Sequence, residues 1–165
     1  MGGSATRHWS HPVAEPQRVR LLNRQRRLKV DRAPLCALAD DVLRGEGVAA
    51  QTEVTVVLVR DGAMAELNAR FRDRPRTTDV LAFPTDSSAW PEEMPSLLGE
   101  VVVSTDRAAA QAAERGIAPA RELARLVVHG LLHLLGYDDQ TPRDRARMRR
   151  REDRYLEGWS EPRRR

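Results

Sequence analysis

The feature that most constrains the fold is an alternation of two apolar patterns along the chain. Runs rich in β-branched residues, such as TEVTVVLV (Thr52–Val59), predict strands, whereas apolar residues at helical spacing, as between Leu35 and Leu43, predict amphipathic helices. The predicted order is β-α-β-α-β-β-α-α-α. Asp31, Asp61 and Thr105 are expected to cap three of the helices, Pro119 to open the fourth, and the last helix to begin at about Thr141. We therefore expect an α+β fold in which a single small mixed β-sheet is covered by helices.

The length of 165 residues suits one domain, and the sequence contains no internal repeat. Residues 1–17 carry Gly, Ser, Pro and two histidines without any periodicity, which predicts a flexible N-terminal tail. Residues 18–158 are predicted to form the folded domain. Residues 159–165 are expected to form a short basic tail.

Arginine dominates the positive charge, because Lys29 is the single lysine in a chain of formal net charge +4. This bias fits two compatible causes: the base composition of the genome and phosphate recognition by the guanidinium fork.

Cys36 is the single cysteine, so an internal disulfide is excluded. No apolar run approaches the roughly 20 residues that span a bilayer, and the N-terminal residues lack the apolar core of a signal peptide. The expected location is the cytoplasm.

The stretch HGLLHLLGYDD (His129 to Asp139) predicts a metal site on a helix and the turn that follows it. His129 and His133 lie within roughly 40° of one another on a helix, so both imidazoles reach one ion. Gly136 can take the left-handed turn that ends the helix. The third ligand is then Asp139, ten residues after the first histidine, where metzincin proteases have a histidine; Asp138 is the alternative. The competing interpretation is two histidines hydrogen-bonded in the core.

The residue after the first histidine limits the chemistry of this site. In the H-E-x-x-H peptidases that position supplies the general base, and here it is Gly130. The sequence therefore favours hydrolysis by a metal-activated water alone or with a base from elsewhere. A metallopeptidase and a non-catalytic protein with a structural metal are the alternatives.

Three blocks of the chain resemble the YbeY family, the bacterial metal-dependent endoribonucleases of rRNA maturation. HGLLHLLGYDD is similar to the family signature H-G-x-L-H-L-x-G-Y-D-H, and MAELNARFRDRPRTTDVLAFP and LLGEVVVS are similar to two further family blocks. The order of the three blocks and the spacing between them agree with those of the family from about Arg18 to Leu156. This chain departs from the family at three positions: Asp139 replaces a histidine, Glu100 an aspartate and Ala82 a serine.

The resemblance implies an α+β fold with a metal at its open face and a function in RNA processing. It implies a single-strand-specific endoribonuclease that acts in maturation of the 3′ end of 16S rRNA and in late ribosome quality control. Cleavage would proceed by attack of a metal-activated water on a phosphodiester. The implied partners are single-stranded RNA and the small ribosomal subunit with its assembly factors; neither DNA nor a membrane is expected.

By position, the resemblance assigns one Zn²⁺ per chain to His129, His133 and Asp139, although the carboxylate makes another divalent metal, such as manganese or nickel, an alternative. It assigns the catalytic arginine to Arg72, whose guanidinium would bind the scissile phosphate. Substrate-binding candidates are Arg70, Arg74 and Arg76, with Arg24, Arg26 and Arg27 near the first predicted strand. Because only 4% of residues are aromatic, we expect RNA binding through the backbone and with strong salt dependence.

Overall fold

The computed structural model of the chain describes residues 17–72, 78–86, 91 and 94–160, with the side chain of Arg72 excepted. Within these residues the strands are β1 (Val19–Asn23), β2 (Glu53–Val59), β3 (Val80–Pro84) and β4 (Leu97–Ser104). The helices are α1 (Arg32–Gly45), α2 (Asp61–Arg72), α3 (Thr105–Arg115), α4 (Pro119–Leu134) and α5 (Pro142–Glu157). This order confirms the alternation predicted from the sequence.

The four strands form one sheet in the order β1-β2-β4-β3. β1 and β2 are parallel, β2 and β4 are parallel, and β3 runs antiparallel to β4. The predicted α+β fold with a single small mixed sheet is therefore confirmed. The predicted tails fall almost wholly outside the described residues. No helix in the described part of the chain is both long enough and apolar enough to cross a bilayer.

Alternation along the central strand β2 creates two separate apolar faces. Val56 and Leu58 belong to the larger core, which α1, α4 and α5 cover. Val57 and Val59 point to the other side and pack near Met64 of α2. Helix α2 therefore covers the face of the sheet opposite α4.

The ends of the helices differ from the sequence prediction at two positions. Ser104, not Thr105, caps α3, and its Oγ accepts a hydrogen bond of 3.2 Å from the backbone N–H of Arg107. Thr105 is instead buried and donates a hydrogen bond of 3.1 Å to the carbonyl of Val59, which ties α3 to β2. Asp61 is the first residue of α2 rather than its cap. Ser104 and Thr105 are adjacent, and the hydroxyl of either one matches the sequence preference for an N-cap residue. Only contacts with other parts of the chain decide which of the two caps the helix.

A glycine lies where helix α4 contacts the sheet, and the space that a side chain would need there is already filled. A Cβ atom on Gly130 would stand 2.3 Å from Cγ1 of Val101 and 2.9 Å from Cγ1 of Val80. Carbon atoms normally approach no closer than about 3.5 Å. The absence of a side chain at Gly130 thus allows α4 to pack directly against β3 and β4.

Candidate metal centre

A single polar stripe crosses the otherwise apolar helix α4. Glu122, Arg125, His129 and His133 follow one another at intervals of three or four residues, so they share one face. Most of the remaining positions from Leu123 to Leu134 are buried apolar residues. The stripe places both imidazoles at the protein surface while the body of the helix stays in the core.

His129, His133 and Asp139 converge on one point. The two Nε2 atoms are 3.0 Å apart, and each lies 3.7 Å from Oδ2 of Asp139. Two ligand atoms about 2.0–2.2 Å from one zinc ion are at most about 4.4 Å apart, so all three separations fit a single ion. These three residues form the one group of potential metal ligands found in the described part of the chain.

Hydrogen bonds to the other ring nitrogens fix the direction of both imidazoles. Nδ1 of His129 is 2.6 Å from a carboxylate oxygen of Glu152, and Nδ1 of His133 is 3.0 Å from the carbonyl oxygen of Tyr137. A carboxylate and a carbonyl oxygen both accept, so each Nδ1 acts as the donor, and the lone pair of each Nε2 is left for an ion. Two lone pairs and a carboxylate oxygen that face one another repel unless a cation lies between them. The donor set therefore fits a divalent metal.

The turn after α4 brings Asp139, and not Asp138, to the histidines. Gly136 has φ = 93°, the left-handed conformation expected of it. Asp138 is exposed, and its Oδ1 accepts hydrogen bonds from the backbone N–H groups of Asp139 (2.7 Å) and Gln140 (3.3 Å). Asp138 thus shapes the turn, while the Asp139 carboxylate is free to face the rings.

Glu46, at the end of α1, holds the loop whose carbonyl contacts His133. Its carboxylate accepts hydrogen bonds from the hydroxyls of Tyr137 (2.7 Å) and Tyr155 (2.6 Å) and pairs with Arg151 at 3.3 Å. Burial opposes ionisation of Glu46, but these donors outweigh it and lower the pKa of the carboxyl. Burial and the Glu46 carboxylate raise the pKa of Tyr155 to about 12.

A chain of charged groups extends from His129 into the protein. The second carboxylate oxygen of Glu152 is 3.4 Å from Arg125, whose guanidinium also binds the fully buried Glu122 at 2.6 Å. Burial works against the charge of Arg125, but the Glu122 carboxylate outweighs it, and the pKa of Arg125 is raised. Arg125 also donates to Gln111 at 3.3 Å. This network fixes the position of the carboxylate that orients His129.

Sequence reasoning missed Glu152, although the sequence does carry a signal for it. Met148, Glu152 and Leu156 are four residues apart on an arginine-rich helix, and all three are buried. An acid on the apolar face of a helix is rarely fully buried without a partner. The partners of Glu152 are His129 of the metal site and Arg125.

The arginines singled out from the sequence lie away from the cluster or outside the described residues. Arg70 is exposed on α2, on the face of the sheet opposite α4, with its guanidinium 5.9 Å from the ring centroid of Phe71. Arg72 is the last residue of α2, and its side chain falls outside the described residues. Arg74 and Arg76 also fall outside them. Their predicted roles stay predictions.

The position of Gly130 bears on the peptidase alternative. In H-E-x-x-H peptidases the corresponding glutamate acts as general base beside the metal. Here position 130 faces Val101 and Val80 of the sheet, where even a Cβ atom has no room. The helix therefore cannot present a base from this position.

Comparison with known proteins agrees with the architecture and the motif. Residues 20–160 match the sequence model of the family Endoribonuclease YbeY. The chain is 43% identical to Endoribonuclease YbeY of Chloroflexus aggregans, over 82% of this chain and 92% of that protein, and 39% identical to Endoribonuclease YbeY of Mycobacterium bovis, over 80% and 78%. The solution structure of TM1509 from Thermotoga maritima aligns with a TM-score of 0.56 and 27% identity, covering 84% of this chain and 87% of that one. This chain belongs to the endoribonuclease YbeY family.

Proposed function

We propose that the protein is a metal-dependent, single-strand-specific endoribonuclease that acts in maturation of the 3′ end of 16S rRNA and in late ribosome quality control. The name Endoribonuclease YbeY, carried by relatives 39–43% identical to this chain, supports RNA cleavage. The observation that carries metal dependence is the convergence of two Nε2 lone pairs and a carboxylate within 3.7 Å of one another.

In this proposal His129, His133 and Asp139 hold one divalent ion, and Zn²⁺ is the proposed native metal. Such an ion supplies Lewis acidity toward a phosphodiester and a nucleophile derived from water near neutral pH. Glu152 and the carbonyl of Tyr137 keep both Nε2 atoms aimed at the ion. Carboxylate oxygen binds zinc, but it also suits harder cations, so Asp139 widens the range of metals that the site accepts.

The exposure of the cluster supports a catalytic rather than a structural ion. The side chains of His129, His133 and Asp139 are 21%, 29% and 43% exposed, so one side of the site is open to water and to substrate. Three protein ligands and an open side are typical of catalytic zinc, whereas structural zinc is closed by four. A fourth ligand is not present in the cluster formed by the described residues.

The RNA is proposed to be bound mainly through its phosphates. Arg72 would bind the scissile phosphate and stabilise its developing charge, with Arg70, Arg74 and Arg76 contacting the flanking backbone. The small ribosomal subunit and its assembly factors are the proposed partners that present the RNA. Phosphate contacts alone carry no sequence information, so the cleavage position is set by that presentation.

The proposal is tested by incubating the metal-loaded protein with an unstructured RNA and, in parallel, with casein, each with and without a chelator. We expect RNA cleavage that the chelator abolishes and that added Zn²⁺ restores, and no cleavage of casein. The His133→Ala variant should lose metal and cleavage together, whereas Asp138→Asn, the matched control whose amide oxygen still accepts the hydrogen bonds of the turn, should keep both. Chelator-resistant RNA cleavage, or cleavage of casein alone, would refute the proposal.

The role of Arg72 needs a separate variant. Arg72→Ala should retain the metal while the rate of RNA cleavage falls by about 10²-fold or more, as when one charge-stabilising group is removed. Metal content is measured by elemental analysis beside the cleavage rate. Loss of metal in this variant would assign Arg72 a structural role instead.

A further inference from the structure

Helix α5 carries a row of arginines on the side that faces away from the protein. Four of them lie within about 60° of one another at about 100° per residue. These four, which we call the arginine stripe, are Arg143, Arg147, Arg150 and Arg154, and all are exposed. The opposite side of the same helix consists of the buried residues Met148, Glu152 and Leu156.

The charge of the arginine stripe is only partly offset within the described protein, where the Glu46 carboxylate acts on Arg154 from beyond ion-pair distance. No described carboxylate forms an ion pair with any of its four members, although arginines elsewhere on the surface do form such pairs. The paired arginines include Arg44, Arg60, Arg115 and Arg151. Two stripe members instead lie over aromatic rings, Arg147 at 5.1 Å from Tyr137 and Arg154 at 6.0 Å from Tyr155. Four unpaired guanidinium groups in one row create a positive field that calls for an anion.

The dimensions of the stripe suit a polyanion rather than a single phosphate. At about 1.5 Å per residue the four side chains are spread along about 16 Å of helix axis. Each guanidinium can bind two oxygens of one phosphate at once. A linear row of such groups matches the repeated charges of a nucleic-acid backbone.

The same helix serves both the candidate metal centre and the stripe. Its buried face supplies Glu152 to His129, and its N-terminus follows the turn that carries Asp139. A helix is about 10–12 Å across with its side chains, so the stripe lies about one helix diameter from the cluster. A strand cleaved at the cluster can therefore continue over the outside of α5.

We propose that the arginine stripe of α5 binds the phosphate backbone of the substrate RNA beyond the cleavage point. This inference rests on the proposed ribonuclease function and adds a binding surface to it. The stripe extends RNA contact to the opposite side of the sheet from Arg70, so the two surfaces make separate contributions.

The test is the affinity of the metal-loaded protein for a labelled, cleavage-resistant phosphorothioate RNA, measured by fluorescence anisotropy across a range of salt concentrations. The test variant is Arg143→Gln with Arg150→Gln, because these two side chains make neither an ion pair nor a ring contact with a described residue. The control is Arg20→Gln with Arg32→Gln, which removes the same charge from exposed positions on β1 and α1. Circular dichroism establishes that both variants are folded.

We expect the test variant to bind RNA at least roughly tenfold more weakly near 0.1 M salt, with the slope of log affinity against log salt reduced by about 1.4, or about 0.7 per lost phosphate contact. The control should bind within about twofold of the parent, because neither Arg20 nor Arg32 belongs to a proposed RNA contact and their charges act on the RNA only through the screened field. Equal weakening in both variants, or none in either, overturns the inference.

Two further outcomes separate this inference from the proposed function. If the parent cleaves RNA and the test variant binds RNA as tightly as the parent, the binding role of the arginine stripe is refuted and the ribonuclease function stands. If the parent binds RNA more tightly than the test variant but never cleaves it, the ribonuclease function is refuted and the binding role stands. A parent that neither binds nor cleaves RNA refutes both. If the test variant loses affinity for poly-glutamate of matched charge but keeps its affinity for RNA, the surface belongs to an acidic protein, and the assignment to RNA is wrong.

Discussion

Replacement of Glu152 by alanine should weaken metal binding without removing any ligand. The Glu152 side chain is 8% exposed, and its carboxylate is 2.6 Å from Nδ1 of His129. In the variant that nitrogen loses its acceptor, so the ring can rotate or take the other tautomer, and Nε2 no longer faces the ion. Removal of such a supporting partner typically costs about 10–100-fold in metal affinity, which is about 1.4–2.7 kcal/mol.

The assay is a competition titration against a zinc indicator of known affinity, with the parent and three variants. We expect Glu152→Ala to show the largest loss and Glu152→Gln a smaller one, since its amide oxygen still accepts the Nδ1 proton. Glu157→Ala is the matched control, because Glu157 is an exposed acid on the same helix. Arg125 keeps its bond of 2.6 Å to Glu122 in every variant, so we expect all of them to fold. Equal zinc affinity in Glu152→Ala and Glu157→Ala would refute the positioning role.

Three further predictions concern the packing of α4 on the sheet, the third metal ligand and the carboxyl group of Glu46. Gly130→Ala gains about 1 kcal/mol of helix propensity, but its Cβ overlaps Val101, and such overpacking costs about 1–3 kcal/mol. Urea denaturation should therefore show a net loss of up to about 2 kcal/mol in the free energy of unfolding. A variant more stable than the parent would disprove the close packing. Asp139→Ala should reduce the zinc content of the purified protein, whereas Asp138→Asn, which keeps an acceptor oxygen for the turn, should not. The reverse result would exchange their roles. The pKa of Glu46 lies below its ordinary value of 4.5, so its contribution to stability is present above that pH and is lost as the pH falls through the lowered pKa. Glu46→Gln should therefore show a shallower loss of stability in acid than the parent, and parallel curves would contradict this.

Elements with strong local periodicity could be predicted from the sequence alone. The order of strands and helices follows from residue patterns that depend on neighbours only three or four positions away. The spacing of His129 and His133 and the left-handed turn at Gly136 are likewise local, and the structure shows both. The cap of α3 could not be decided this way, because the choice between Ser104 and Thr105 depends on a contact with Val59 in β2.

Contacts between distant segments could not be predicted from periodicity. Glu152 lies 23 residues after His129, and only the packing of α5 against α4 brings the two together. Local pattern shows that Glu152 is on the apolar side of its helix, but not which residue it meets. The resemblance to a family supplied Arg72 and its role, which no residue pattern in this chain establishes.

The most direct test of the account is anomalous diffraction at the zinc edge from crystals of the zinc-loaded protein. We expect one peak per chain, about 2.0–2.2 Å from Nε2 of His129, Nε2 of His133 and a carboxylate oxygen of Asp139. A peak elsewhere, or a zinc ion at the histidines with the Asp139 carboxylate outside bonding distance, would contradict the proposed metal centre and the ribonuclease mechanism built on it.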